Sequence, residues 1–363
     1  MQVRKLNNKS SRAVDRCGFT LLELLVVISI IAALMSLILP AIQNARRAAR
    51  QVQCLNNLRN VSVAMLGYES AKRRFPAAGY WAGIPGSRYP SHNWVVELLP
   101  HLDRQDLFDR WDYSVPYHAA PNSNYNQTQV QVLVCPEDDS LMDGGDLSYA
   151  VNGGVGYTTF LSGVHDVPVN SFGTAIDLNG NGITAVADDN LDGNLNDRAI
   201  LKTMGLFFME NFGENAGVVR HYSMNGIRDG YSNTLMILEN VRTGRQSSGS
   251  VEETWATPFA HKTAVFFDPA VCESNKCGPE TVDYARANGG SNGINSGLKK
   301  AEGRSPFANS QHSGFVNCAY ADGSVKPLGE TVSGSVYAAL MSPTSNILNN
   351  THLQQVIPSG EAF

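Results

Sequence analysis

Apolar and polar residues follow two different periods along this chain, and the change falls near residue 76. From Phe19 to Leu39 almost every position is apolar (FTLLELLVVISIIAALMSLIL), and residues 24–45 carry no charge. About 20 apolar residues are what a helix needs to cross a bilayer. Beyond Pro40, the residues Val52, Leu55, Leu58 and Met65 recur at helical spacing, with Arg46, Arg50, Asn57 and Arg59 off that stripe. The pattern predicts one helix over 19–72, about 80 Å long at 1.5 Å per residue. Pro40 should kink or locally melt it, and Phe75-Pro76 ends it. Its first half reads as membrane-spanning and its second as a face packed on a globular domain.

After residue 76 the apolar runs shorten and turns multiply. Val130–Val134, Thr234–Leu238 and Thr263–Phe267 read as strands between Gly/Asn/Asp/Ser turns, and 31 of the 33 glycines lie here. No internal repeat or linker divides 76–363. The fold class is therefore α+β, a long N-terminal helix packed on a mostly antiparallel β domain over 73–363.

Charge separates the two parts further. Residues 1–18 carry Arg4, Lys5, Lys9, Arg12 and Arg16 against Asp15 alone, whereas the whole chain is at −5. A basic segment before an apolar run places the N-terminus in the cytoplasm and the bulk outside; Arg46, Arg47 and Arg50 on the far side narrow that margin. An acidic remainder gives no basic face for nucleic acid.

An ordinary signal peptide places its small-residue cleavage site after the apolar core. Here Gly18 precedes that core, and Glu23 sits within it, where a carboxylate costs about 2.5–3.5 kcal/mol. Gly18-Phe19-Thr20-Leu21-Leu22-Glu23 closely resembles the type IV prepilin signal. The resemblance implies a leader over 1–18, cleavage between Gly18 and Phe19 by a membrane prepilin peptidase, and methylation of the new N-terminus. It also gives Glu23 a role, since the amine of Phe19 in one subunit would neutralise Glu23 of a neighbour once the helices bundle.

Further motifs extend the resemblance over nearly the whole chain. Cys54 is followed by Leu-Asn-Asn-Leu-Arg, then come Tyr68-Glu69, Phe75-Pro76, Cys135-Pro136-Glu137-Asp138 and Ser148-Tyr149-Ala150-Val151-Asn152. Ile227-Arg228-Asp229-Gly230-Tyr231-Ser232-Asn233-Thr234 ends at Glu239, and His312 lies ten residues before Asp322-Gly323. Together they resemble the pilin-like family of domain of unknown function 1559. That family implies architecture and location, with no known reaction. The residues themselves read as structure. Asp322-Gly323 forms a hairpin tip after a strand over Phe315–Ala321, and His312 anchors the segment before it. Asp229-Gly230 turns into the strand Thr234–Leu238, and Glu239 closes that turn.

Of the six cysteines, Cys17 leaves with the leader. Oxidising conditions outside the cytoplasm favour disulfides. Cys272 and Cys277 read as a local bridge; zinc there would need a second ligand pair that the neighbourhood lacks. Cys54 and Cys135 read as a second bridge stapling the helix to the domain, leaving Cys318 as a buried small hydrophobe. Asp177, Asn179 and Asn181 begin a calcium-loop pattern, with Ile183 seventh and Asp188 twelfth. A second frame follows at Asp188, Asn190 and Asp192. The usual final Glu is missing, so calcium is a possible ligand and no cofactor is required. Gly289-Gly290-Ser291-Asn292-Gly293 matches a hydrolase elbow only as letters, because it lies in a Gly/Ser/Asn loop.

The expected function is that of a pilin-like or pseudopilin-like structural subunit, with no enzymatic activity. It would partner the membrane, prepilin peptidase and other pilin-like subunits in a type IV pilus or type II secretion-type filament. Its size suits a minor subunit. The alternative is a membrane-anchored module that binds a glycan or solute, with Tyr80, Trp81, Tyr89, Trp111 and Tyr113 as an aromatic face if exposed, though such rings are more often buried in a core.

Overall fold

The structure, a computed structural model, describes residues 20–80, 91–139, 144–155, 200, 203–210, 222–241, 243, 254–268, 270–273, 276–282, 284–300 and 305–344. It divides into two compact units, Met1–Ala49 and Arg50–Phe363.

In the first unit, helix α1 (Leu21–Lys72) begins on a capping box. The Thr20 carbonyl accepts from Leu24 N (3.2 Å). Glu23 Oε2 accepts from both Thr20 N and Thr20 Oγ1 at 2.9 Å, and Glu23 N donates back to Thr20 Oγ1 at 3.3 Å. The helix runs unbroken through Pro40, so the expected local melting does not occur. One missing N–H donor is tolerated where both flanks are strong helix formers. The whole apolar window is exposed.

In the second unit, the rest of α1 buries Cys54, Leu58, Val61, Met65 and Tyr68. These follow one another at steps of four, three, four and three, which is one face of a helix. The expected stripe was partly misplaced: Leu58 and Met65 lie on it, but Val52 is 57% exposed. Val52 stands two residues from Cys54, about 200° round the helix axis.

The strands are β1 (Gly79–Tyr80), β2 (His92–Asn93), β3 (Tyr149–Val155), β4 (Met209–Glu210), β5 (Leu235–Glu239), β6 (Ala264–Phe267), β7 (Ala270–Glu273), β8 (Lys276–Val282), β9 (Phe315–Tyr320) and β10 (Val325–Gly329). The main sheet has the order β10-β9-β5-β3-β6. Its pairs are antiparallel except β3 with β6, which run parallel. β1, β2 and β4 form a small mixed sheet, and β7 and β8 a hairpin. The sheets are thus mixed, though mainly antiparallel. Val130–Val134 is not a strand, because Gln131–Leu133 forms a 3₁₀ turn there. A short apolar run fits either form, and here the Val134 N–H closes back on the Gln131 carbonyl.

Both faces of the main sheet are covered. Tyr149 and Val151 of β3, Ile237 of β5 and Ala319 of β9 pack in one core with Leu58, Val61 and Met65 of α1. Ala150, Leu238, Cys318 and Tyr320 pack in a second core with Tyr337, Leu340 and Met341, which lie on the helix Gly334–Met341. Residues of β3, β6 and β9 alternate between the two cores, as the pleat requires, whereas in β5 the consecutive Met236 and Ile237 share the first core where the β5–β9 register shifts; helix–sheet–helix layering buries both cores. Gly154 makes the bulge in β3 possible: its φ is +81°, and a Cβ there would meet the Met204 carbonyl at 2.7 Å.

Candidate functional site

Four of the motifs converge at one end of the main sheet. Cys54, on the buried face of α1, is joined to Cys135, 81 residues away, by a disulfide. This is the helix-to-domain staple expected from the sequence. The Tyr149 hydroxyl donates to the Cys54 carbonyl at 3.0 Å. Burial, with the Glu239 and Asp138 charges, pushes that phenol well above its usual range and keeps it a donor.

The acidic residues after Cys135 each have a partner. Glu137 accepts from Arg50 Nε at 2.6 Å. Asp138 accepts from Ser148 Oγ at 2.6 Å, and Asp139 accepts from Gln311 Nε2 at 2.6 Å. The Asn57 amide donates to the Val134 carbonyl at 2.7 Å. These contacts fix the Cys135 segment against α1 on one side and against the segment before β9 on the other.

Glu239 is the last residue of β5 and is fully buried. It does not close the Asp229-Gly230 turn, which lies at the opposite end of that strand. That turn closes itself: Gly230 has φ +96°, and its carbonyl accepts from Thr234 Oγ1 at 3.1 Å. The β5–β9 register sets Leu238 against Cys318, which brings Glu239 to Asn317. Glu239 Oε2 accepts from Asn317 N and Oε1 from Asn317 Nδ2, both at 3.0 Å.

His312 enters just ahead of β9. Its N–H donates to Ser310 Oγ at 3.0 Å, and its ring stacks on Phe315, with centroids 5.2 Å apart and planes 2° apart. Nε2 lies 3.7 Å from Cys135 Sγ and 3.4 Å from Glu239 Oε1. One donor atom from each of Cys54, Cys135, Glu239 and His312 lies within 4.8 Å of all the others, and all four residues are buried. Cys318 is also buried, and its thiol is pushed well up by burial and by the Glu239 charge, so it stays protonated.

Asp322 is not part of this cluster. It sits past the far end of β9, where its Oδ1 accepts from Ser324 N at 2.8 Å, and Gly323 takes φ +82°. β9 and β10 pair across this tip, giving the hairpin expected from the sequence. Cys272 and Cys277 are register partners in the β7–β8 hairpin. The described members of the aromatic face do not form an exposed surface. Tyr80 and Trp111 are buried, Tyr113 is 37% exposed, and Trp81 and Tyr89 lie outside the described residues. Gly18 and Phe19 also lie outside them, as do the calcium-loop residues Asp177, Asn179, Asn181, Ile183, Asp188, Asn190 and Asp192. Gly290–Asn292 is a 3₁₀ turn after another 3₁₀ turn, not the strand-to-helix elbow that a hydrolase nucleophile needs.

Sequence reasoning had each member of the buried cluster in hand within a separate motif, but missed that Glu239 and His312 meet beside the disulfide. The available signal was the chemistry of the set. Each of four motifs contributes one residue whose side chain can ligate a metal.

A family model described as "Protein of unknown function (DUF1559)" matches residues 43–334, and one described as "Prokaryotic N-terminal methylation motif" matches residues 15–39. No curated protein and no solved structure matches the chain.

Proposed function

The chain belongs to the DUF1559 family and is pilin-like at its N-terminus, and on that premise we propose that it is a filament subunit. Prepilin peptidase cuts between Gly18 and Phe19, and the helix that follows assembles with those of other pilin-like subunits into a type IV pilus or a type II secretion-type filament. Before assembly, the N-terminus faces the cytoplasm, residues 21–42 span the membrane, and the second unit stands outside, where oxidising conditions suit the Cys54–Cys135 bond.

One observation carries this reading. The apolar half of α1 is exposed along its whole length, and its acidic side chain, Glu23, is held by Thr20 directly behind the cleavage point. A membrane anchor needs the apolar surface but not the acid. A bundle of methylated N-termini uses both, because each amine neutralises a neighbour's carboxylate.

The test separates charge from helix capping. Glu23→Gln can still accept from Thr20 N–H and keep the capping box, whereas Glu23→Leu removes charge and cap together. Both variants insert in the membrane, and neither is incorporated into a sheared filament fraction. Normal incorporation of Glu23→Gln sinks the pairing argument. N-terminal sequencing of the wild-type protein from membranes gives methylated Phe19; a chain still starting at Met1 reduces the helix to an anchor.

A further inference from the structure

We infer that Cys54, Cys135, Glu239 and His312 form a binding site for one zinc ion, open when the two cysteines are thiolates and closed when they are joined as the disulfide. The inference is independent of filament assembly, because all four residues belong to the second unit.

The geometry around His312 carries it. A tetrahedral zinc ion, with Zn–S of about 2.3 Å and Zn–N or Zn–O of about 2.0–2.1 Å, sets S···N edges of about 3.6 Å and N···O edges of about 3.3 Å. His312 Nε2 stands 3.7 Å from Cys135 Sγ and 3.4 Å from Glu239 Oε1. Both separations match edges of such a tetrahedron, and the second is longer than the roughly 2.7–3.2 Å of a good N–H···O bond. Two thiolates on the same ion stand about 3.8 Å apart. The site therefore opens when the bond is reduced and the Cys54 sulfur swings away from Cys135 Sγ, which already stands at its edge distance from His312.

The surroundings are those of a metal site as well. Both oxygens of Glu239 accept from Asn317, the kind of outer contact that orients a ligating carboxylate. Stacking on Phe315 fixes the imidazole plane. Burial of all four residues excludes water, which suits a closed structural site with four protein ligands better than a catalytic one. Two sulfurs and an imidazole select zinc over calcium or magnesium, which want oxygen.

The two states interconvert with balanced chemistry. A dithiol reductant gives two electrons and two protons to the Cys54–Cys135 bond, becomes a disulfide itself, and leaves two thiols. Zinc then displaces both thiol protons to solvent and bonds two sulfurs, the lone pair of His312 Nε2 and one Glu239 oxygen. A newly made chain starts with the thiols and reaches the zinc form without any reductant.

The test uses the full chain in detergent, in reduced and oxidised forms, with zinc or cobalt(II) added. The reduced chain takes up one zinc per chain by elemental analysis. Cobalt in its place shows sulfur-to-metal charge transfer and tetrahedral ligand-field bands, and the oxidised chain takes up neither. His312→Ala and Glu239→Gln each weaken binding by more than about a hundredfold, beyond the roughly 10–100-fold that loss of an outer partner costs. Zinc-edge X-ray absorption on the reduced wild-type chain finds two sulfur and two nitrogen or oxygen neighbours, which keeps the test open if a variant fails to fold. No uptake by the reduced chain overturns the proposal. So does uptake unchanged in both variants, which would place the metal elsewhere, for example at Cys272 and Cys277. A zinc shell without two sulfurs overturns it too.

Discussion

The two halves of α1 share one helical geometry and treat apolar side chains in opposite ways. In the first half the large side chains stand in the open, with Leu21 83% and Leu37 75% exposed, while in the second half Cys54, Leu58, Val61 and Met65 are fully buried. The second half buries a stripe against a sheet within its own chain. The first half is apolar all round, and such a helix belongs to lipid or to other helices. Apolar character alone therefore does not tell what a segment packs against; the angular width of the apolar surface does. A narrow stripe finds a partner within the fold, and a complete girdle needs one from outside.

The strongest way to break this comparison is to cut between the units. A chain starting at Arg50 should leave the membrane fraction entirely and melt in a single cooperative transition, followed by circular dichroism. Persistent membrane association would show that the second unit holds its own contact with lipid. Next in size is the staple. Replacing both Cys54 and Cys135 by serine should lower the stability of the second unit by about 4.5 kcal/mol, the loop-closure entropy for a separation of 81 residues, read from urea melts in the absence of zinc. A loss near zero would mean that the unfolded chain is already compact there.

Paired truncations sharpen the contrast within the helix. Leu58→Ala should cost about 2–5 kcal/mol, whereas Leu34→Ala should stay within about 0.5 kcal/mol in the same denaturation. Equal costs would refute the division of labour between the two halves.

The smallest effect concerns pH in the second unit. Burial by itself would raise the Glu97 carboxyl, but the hydrogen bond and charge of His92 and the Tyr68 hydroxyl outweigh it and leave the pKa lowered. A lowered carboxyl adds stability above its unfolded value of about 4.3 and loses it as pH falls through the folded value. Glu97→Gln should therefore flatten the melting temperature below about pH 4 relative to wild type. An unchanged acid limb would assign that limb to other carboxylates.

Much of this architecture could be read from local pattern. The long helix, the strands near 235–239 and 264–267, the hairpin at Asp322-Gly323 and the buried Cys318 all follow from features within a few residues of one another. The misplacements have physical causes. Val130–Val134 is too short for its period to decide between turn and strand, and Val52 is apolar in character but stands about 200° round the helix from Cys54. Thr20 and Glu23 spell a capping box within four residues, a local role for the acid beside the one between subunits. The buried cluster was hidden for a different reason. His312 and Cys135 are 177 residues apart, and their meeting depends on the β5–β9 register and the fall of the chain after Leu133, which no local window contains. The chemistry was legible one residue at a time, and the constellation was not.

The Cys54–Cys135 link also has a mechanical meaning. Any subunit drawn from a membrane, or held in a fibre under tension, is pulled through its N-terminal helix. Without a cross-link, that force would reach the rest of the chain in sequence order, peeling the helix off the sheet turn by turn. The link at Cys54 shunts the load from the fourth residue after Arg50 straight to Cys135. The peeling front meets a covalent stop before it reaches Leu58, and the sheet is loaded as one body.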